Sequence, residues 1–249
     1  MKKIRLTLIR ATAFAALLLM VALATFGCKS DPGTDPKNPY GLEIINTSEA
    51  YLQSVAEDSS NVMVDLETYI PGVVLEIRYA GTNNFTGKQI YTAPKAYMRK
   101  PAADSLVKIQ NLLAKEGLGI KVFDAYRPYA GTLYFYEVYP DTTFVAAPWK
   151  GSIHNRGVAI DLTLINLETG EELVMPTPFD EFSERASHSY MELDSAQIAN
   201  REKLLKVMTE NGFTMYEHEW WHYNIKDRSG YSLMDISFEE LADKKRLSR

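Results

Sequence analysis

Cysteine is almost missing from this chain of 249 residues. Cys28 stands alone, which excludes an intramolecular disulfide and with it any small disulfide-stapled scaffold. Histidine is nearly as scarce, with four in all, so a metal site built on imidazoles has few residues to draw on. An apolar run of the ~20 residues that a spanning helix needs is also lacking. The longest run, Ala11 to Phe26, is shorter and has Thr12 and Thr25 near its ends. No internal repeat or heptad pattern competes with an ordinary globular reading. Nor is there an excess of basic charge: the formal charge is −5, which argues against nucleic acid as a partner.

What the N-terminus does contain is Lys2, Lys3, Arg5 and Arg10, then the apolar run, then Gly27-Cys28. That is the layout of a secretory leader over residues 1–27. A cysteine directly after a small residue resembles the cleavage site of bacterial lipoprotein signals. The resemblance implies a lipid on Cys28, a membrane as partner through that lipid, and an exported lipoprotein anchored in the periplasm or cell envelope. The alternatives are an uncleaved anchor, or a buried free thiol behind a plain signal peptide. Loss of the leader removes four basic residues and takes the formal charge from −5 to about −9. Residues 28–60 are expected to form a tether and lead-in. The prolines and polar residues from Lys29 to Pro39 cannot build a core, and Tyr40 to Ser60 reads as either an extended lead-in or a short packed arm. The folded domain, residues 61–249, is expected to begin near Asn61.

Within that domain, Val62 to Leu66 and Val73 to Tyr79 have strand-like composition on either side of a Pro71-Gly72 turn. Leu106, Val107, Ile109, Leu112 and Leu113 follow helical spacing, which predicts a helix over Asp104 to Glu116 between Pro101 and Gly117. Gly119 to Phe123 reads as a strand that delivers Asp124-Ala125-Tyr126-Arg127-Pro128 to its end, where the proline removes an amide donor. Val158 to Ile165 alternates with the period of a strand. A second helix is expected from about Ser195 to Asn211, with Asp194 as N-cap and Gly212 as stop. Phe213 to Ile225 then supplies one or two closing strands. The expected class is α+β, a single domain with a small, mainly antiparallel sheet flanked by helices.

Two of the four histidines fall in motifs that also hold carboxylates: Ser152-Ile153-His154-Asn155-Arg156-Gly157-Val158-Ala159-Ile160-Asp161 and Glu219-Trp220-Trp221-His222. Two imidazoles and a carboxylate are a usual ligand set for one catalytic Zn2+, with a position left for water. His154, Asp161 and His222 are therefore the expected ligands. A loop curled through Gly157, whose backbone adopts angles that other residues resist, brings His154 and Asp161 to one point. An isolated histidine is more often a core or loop residue; the full pattern reverses those odds. Glu219 is the expected base, since an attacking water must lose a proton. On a regular strand a spacing of three puts Glu219 and His222 on opposite faces, so a bend or bulge across Trp220-Trp221 is expected. At least one of these tryptophans is expected in the core, and Glu217 and His218 are the local decoys.

The pattern Ser-x-His-x-x-Gly-x-Ala-x-Asp followed by Glu-x-x-His resembles the zinc peptidases related to D-Ala-D-Ala carboxypeptidase and lysostaphin. Further motifs narrow it to a similarity with the D-alanyl-D-alanine dipeptidases of the vancomycin-resistance type, across residues 61 to 230. They are Arg78-Tyr79-Ala80, Asn84-Phe85-Thr86-Gly87, Asp124 to Pro128, His154 to Leu164, Thr177 to Arg185, and Glu219 to Tyr223. The resemblance implies zinc on His154, Asp161 and His222, with Glu219 as general base and then general acid. It implies Arg127 as the cation that steadies the oxyanion, and Tyr79, Ser152 and Asp180 as substrate contacts, Asp180 taking the ammonium. For Arg127 the plainer alternative is a surface salt bridge, and for the last three it is a turn or cap. A dipeptidase must recognise both charged ends of a short substrate, and a lid from Thr177 to Arg185 would exclude longer peptides. Met175-Pro176-Thr177 departs from the Met-Gly that relatives often carry there. The expected activity is hydrolysis of the small dipeptide D-Ala-D-Ala in peptidoglycan turnover or salvage. Two competing readings are a D,D- or L,D-carboxypeptidase acting on longer murein peptides, and a non-catalytic wall-binding lipoprotein.

Overall fold

The computed structural model describes residues 35–243. The leader over residues 1–27 and Cys28 lie outside the described residues. In chain order the elements are β1 (Ile44–Ile45), α1 (Ser48–Glu57), β2 (Met63–Asp65), α2 (Leu66–Tyr69), β3 (Val74–Leu75), β4 (Tyr97–Arg99), α3 (Lys100–Ala114), β5 (Leu118–Asp124), α4 (Tyr129–Val138), β6 (Ala159–Asn166), α5 (Ser195–Glu210), β7 (Phe213–Tyr216), β8 (Glu219–Ile225), β9 (Leu233–Met234) and α6 (Phe238–Ala242). The main sheet runs β3-β5-β6-β8-β7, antiparallel except for β3, which joins β5 in parallel at one edge. This is the expected α+β class. Strand β6 lies at the centre and is buried from Ala159 to Ile165, the burial that a middle strand covered on both faces requires. Helix α3 packs on β5 through Leu106, Ile109 and Leu113, and α5 packs on β7 with Leu204 and Met208 buried.

Local chemistry sets the boundaries. Helix α3 starts at Lys100 rather than Asp104, because Pro101 sits in its first turn, where a missing N–H costs no helical bond. Helix α5 starts where expected: Asp194 and Gln197 form a reciprocal capping box. The strand expected over Val73 to Tyr79 is only Val74–Leu75, since the chain turns at Arg78–Ala80 and plants the Tyr79 ring in the core. Helix α4 was not expected from the sequence. It follows Pro128 directly and buries Tyr129, Gly131, Thr132 and Phe135. At Gly131 the helix passes close to Arg127: a Cβ there would lie 3.1 Å from Arg127 Cγ.

Of the two readings for Tyr40 to Ser60, the packed arm is the one found. β1 pairs in parallel with β9, and α1, capped by Thr47, buries Tyr51. The Met63 N–H donates to the Tyr51 hydroxyl at 2.8 Å. The compact unit therefore begins at Asp35 and not near Asn61. The bulge in β8 is also present. Met215 pairs with Tyr223 and Tyr216 with Glu219, so one step along β7 spans four along β8, and both Trp220 and Trp221 are buried.

Candidate active site

Three adjacent strands build the centre of the site. Asp161 on β6 is in register with Asp124 on β5 and with His222 on β8. His154 arrives from a turn, His154–Arg156, that ends on Gly157 in the left-handed region at φ 71°. The His154 Nε2, Asp161 Oδ1 and His222 Nδ1 atoms converge, with 3.1 Å between the imidazole nitrogens and 2.9 and 3.5 Å from the carboxylate oxygen to His222 and His154. Each ring is oriented from its far side. The His154 Nδ1–H donates to the Ala125 carbonyl at 2.6 Å, and the His222 Nε2–H donates to Asn224 Oδ1 at 3.0 Å. With the protons held there, Nε2 of His154 and Nδ1 of His222 present lone pairs to the same point as a carboxylate. Three converging lone pairs repel one another unless a cation lies among them, and outer hydrogen bonds of this kind are what metal-ligating imidazoles use. The donor set thus fits a metal ion.

Glu219 opens β8 and lies beside this centre, its Oε2 3.8 Å from His222 Nδ1. Burial, then the charges of Asp161 and Asp180, hold its carboxyl well above the ordinary range, with Arg127 opposing. A carboxyl whose proton affinity is raised this way suits taking up and returning a proton. Arg127 is buried and is held by Asp124, whose Oδ2 accepts from Nε at 3.1 Å and from Nη2 at 2.7 Å. Its guanidinium also stacks over Phe135 at 4.5 Å. A surface salt bridge is excluded by that burial.

The centre opens into a cavity of about 330 Å³, whose wall includes Tyr79, Arg127, Ser152, Asp180 and Glu219. The Tyr79 hydroxyl donates to both Asp180 oxygens, at 3.0 and 3.2 Å. Burial, then the Asp161 charge, pushes the Asp180 carboxyl up to about 8. From the segment Thr177 to Arg185, Asp180 and Phe182 line this cavity. Phe179 packs on Phe123 and Trp221, and Phe182 packs on Phe85, Tyr139 and Phe144. At the segment's start, the Trp220 Nε1–H donates to the Thr177 hydroxyl, and the Gln197 Nε2–H group donates to the Met175 and Pro176 carbonyls from the first turn of α5. Ser152 lines the cavity, but its hydroxyl also accepts from the His154 N–H at 3.2 Å and so steadies the turn. The decoys lie elsewhere: Glu217 accepts from Ser187 and Ser189, and His218 is exposed.

A model of the peptidase family described as D-ala-D-ala dipeptidase matches residues 59–242. The chain belongs to that family. It is 35% identical over 176 residues to the D-alanyl-D-alanine dipeptidase of Escherichia coli (strain K12), covering 71% of this chain and 91% of that one. It is 34% identical over 182 residues to the D-alanyl-D-alanine dipeptidase of Enterococcus faecium, covering 65% and 90%. The Streptomyces coelicolor (strain ATCC BAA-471 / A3(2) / M145) D-alanyl-D-alanine dipeptidase is 30% identical over 185 residues. Membership makes the protein a metallopeptidase, in keeping with the lone-pair cluster on His154, Asp161 and His222.

Two residues of this dipeptidase-family site were not singled out by sequence reasoning. Asp124 is fully buried and joins Arg127, the Tyr91 hydroxyl at 2.8 Å and its neighbour's Ala125 N–H. Asn155, also fully buried, donates to the Arg127 carbonyl at 2.9 Å and accepts from the Ser152 N–H at 2.7 Å. Both stand inside quoted motifs, next to residues with an assigned role. The only available signal was a carboxylate three residues before an arginine, and an amide beside a histidine.

Proposed function

We propose that the protein is a zinc-dependent dipeptidase that hydrolyses D-alanyl-D-alanine to two molecules of D-alanine. The observation that carries this reading is the placement of Glu219 and Arg127 around the converging donor atoms of His154, Asp161 and His222, in one cavity with the Tyr79-bound Asp180. Relatives of the same family that bear the name D-alanyl-D-alanine dipeptidase support the choice of substrate. Zinc is the metal that suits two imidazoles and one carboxylate, and when held there it supplies Lewis acidity and a more acidic water at neutral pH.

The chain's own residues do the rest. Asp180 accepts the substrate ammonium, which fixes the first residue of the dipeptide. Glu219 takes the proton of the attacking water and returns it to the leaving amine. The Arg127 guanidinium, kept in place by Asp124, faces the negative charge that develops on the carbonyl oxygen. The Thr177 to Arg185 segment limits the length of peptide that enters. The proposal extends to location: the basic and apolar leader with Cys28 supports an exported lipoprotein, and outside the cytoplasm the substrate is dipeptide released from peptidoglycan.

The test is hydrolysis of D-Ala-D-Ala against its N-acetylated form by zinc-loaded protein. Preference for the free dipeptide is expected, and preference for the blocked one would replace this reading with a carboxypeptidase. Glu219→Gln is expected to lower kcat by about 10²–10⁴-fold with one zinc per chain retained. Full activity in that variant would point to a different base.

A further inference from the structure

The cavity wall carries three carboxylates, Asp161, Asp180 and Glu219, and two guanidiniums, Arg127 and Arg228. A peptide whose free C-terminal carboxylate enters such a space is repelled unless a cation receives it. Arg127 is already bound through two of its nitrogens to Asp124. Arg228, in the loop that follows β8, is exposed and has no ion-pair partner among the described residues.

We infer that Arg228 is the specificity residue that receives the C-terminal carboxylate of the peptide substrate. This rests on the peptidase reading of the site. Arg228 shares the cavity wall with Gly151, Ser152 and Ile153, next to His154, whereas Asp180 is bound to Tyr79. The wall therefore offers an acid at Asp180, which a neighbouring substrate ammonium would hold ionised, and a cation at Arg228, which matches the two ends of a zwitterionic dipeptide. A guanidinium fork binds a carboxylate through two parallel hydrogen bonds, which a lysine ammonium cannot reproduce.

The test compares D-Ala-D-Ala with D-alanyl-D-alaninamide, which lacks only the terminal charge. In the zinc-loaded wild type, kcat/KM is expected to favour the free acid. In Arg228→Gln that preference is expected to fall by roughly tenfold, mainly through KM, and Arg228→Lys is expected to restore part of it. An unchanged acid-to-amide ratio in Arg228→Gln overturns the assignment. Should the protein prefer N-acetylated substrates, the same ratio is read on N-acetyl-D-Ala-D-Ala and its amide. That outcome removes the dipeptidase reading and still decides the role of Arg228. In the absence of turnover, calorimetric affinities of the wild type and Arg228→Gln for the acid and the amide give the same ratio.

Discussion

Asp180 is held in two uncomfortable states at once. Among the described residues it is the one non-glycine with positive φ, at 63°, and burial, then the Asp161 charge, raises its pKa to about 8. The unfolded chain gives up this proton near the ordinary value of 3.8, whereas the folded protein keeps it until about 8. The unfolded state thus binds fewer protons between those limits, so Asp180 makes stability fall as pH rises through that window. Asp180→Asn is expected to be more stable than the wild type at pH 8, by on the order of 5 kcal/mol, and little different at pH 4, as read by denaturant unfolding. An offset of equal size at both pH values would remove the charge argument. The same variant is expected to lose kcat/KM on D-Ala-D-Ala, since the ammonium then has no anion to meet. Strain and misplaced charge of this kind are what binding sites retain at a cost in stability. Other single residues show how far the sequence could be read. His154, Asp161 and His222 stand out because scarce residue types recur at metal-ligand spacing. Asp124 does not, because its role depends on Tyr91, 33 residues upstream, and on the irregular register between Val122 and Asp124.

Among the elements, the turn that carries His154 depends on Gly157. Its φ of 71° is a left-handed angle, and a Cβ there would lie 2.8 Å from Met63 Cε and 2.9 Å from Met63 Sδ. The Gly157 carbonyl also accepts from the Arg99 N–H at 2.8 Å, which ties the turn to β4. Gly157→Ala is expected to destabilise the fold by about 1–2 kcal/mol and to weaken metal binding by displacing His154. Thermal unfolding and chelator competition measure the two effects, and a variant with wild-type values in both would show that the turn tolerates a side chain. Periodicity made β6, α3 and α5 legible, since each buries one regular pattern. It failed for α4, whose buried face mixes Tyr129, Gly131, Thr132 and Phe135 and has no helical stripe of aliphatic residues. It overextended the strand before Tyr79, because the turn at Arg78–Ala80 is set by packing of the Tyr79 ring against Phe135 and Tyr91. The β8 bulge was legible for a chemical reason: Glu219 and His222 could serve one site only if the strand broke its alternation.

For the molecule as a whole, the arm of β1 and α1 joins the N-terminal part of the compact unit to β9 near its end. Composition alone left this segment open, since its apolar residues reveal their purpose only with a partner strand in place. The proposed lipid on Cys28 places an anchor seven residues ahead of Asp35 in the sequence. Cys28→Ser is expected to move the protein from the membrane fraction to the soluble fraction of the cell envelope, with hydrolysis of D-Ala-D-Ala retained. Retention in the membrane fraction would argue for an uncleaved anchor instead.

The donor atoms of the metal site come from parts of the chain far apart in sequence: 68 residues separate His154 from His222, and 61 separate Asp161 from His222. Closing such loops costs entropy before any contact repays it. Since His222 and Glu219 both ride on β8, the last strand of the main sheet in chain order, a chain emerging N-terminus first holds at most two of its three ligands and lacks its base. Metal uptake therefore reports that the main sheet is complete, and a partly made chain has no competent centre with which to attack the peptides around it.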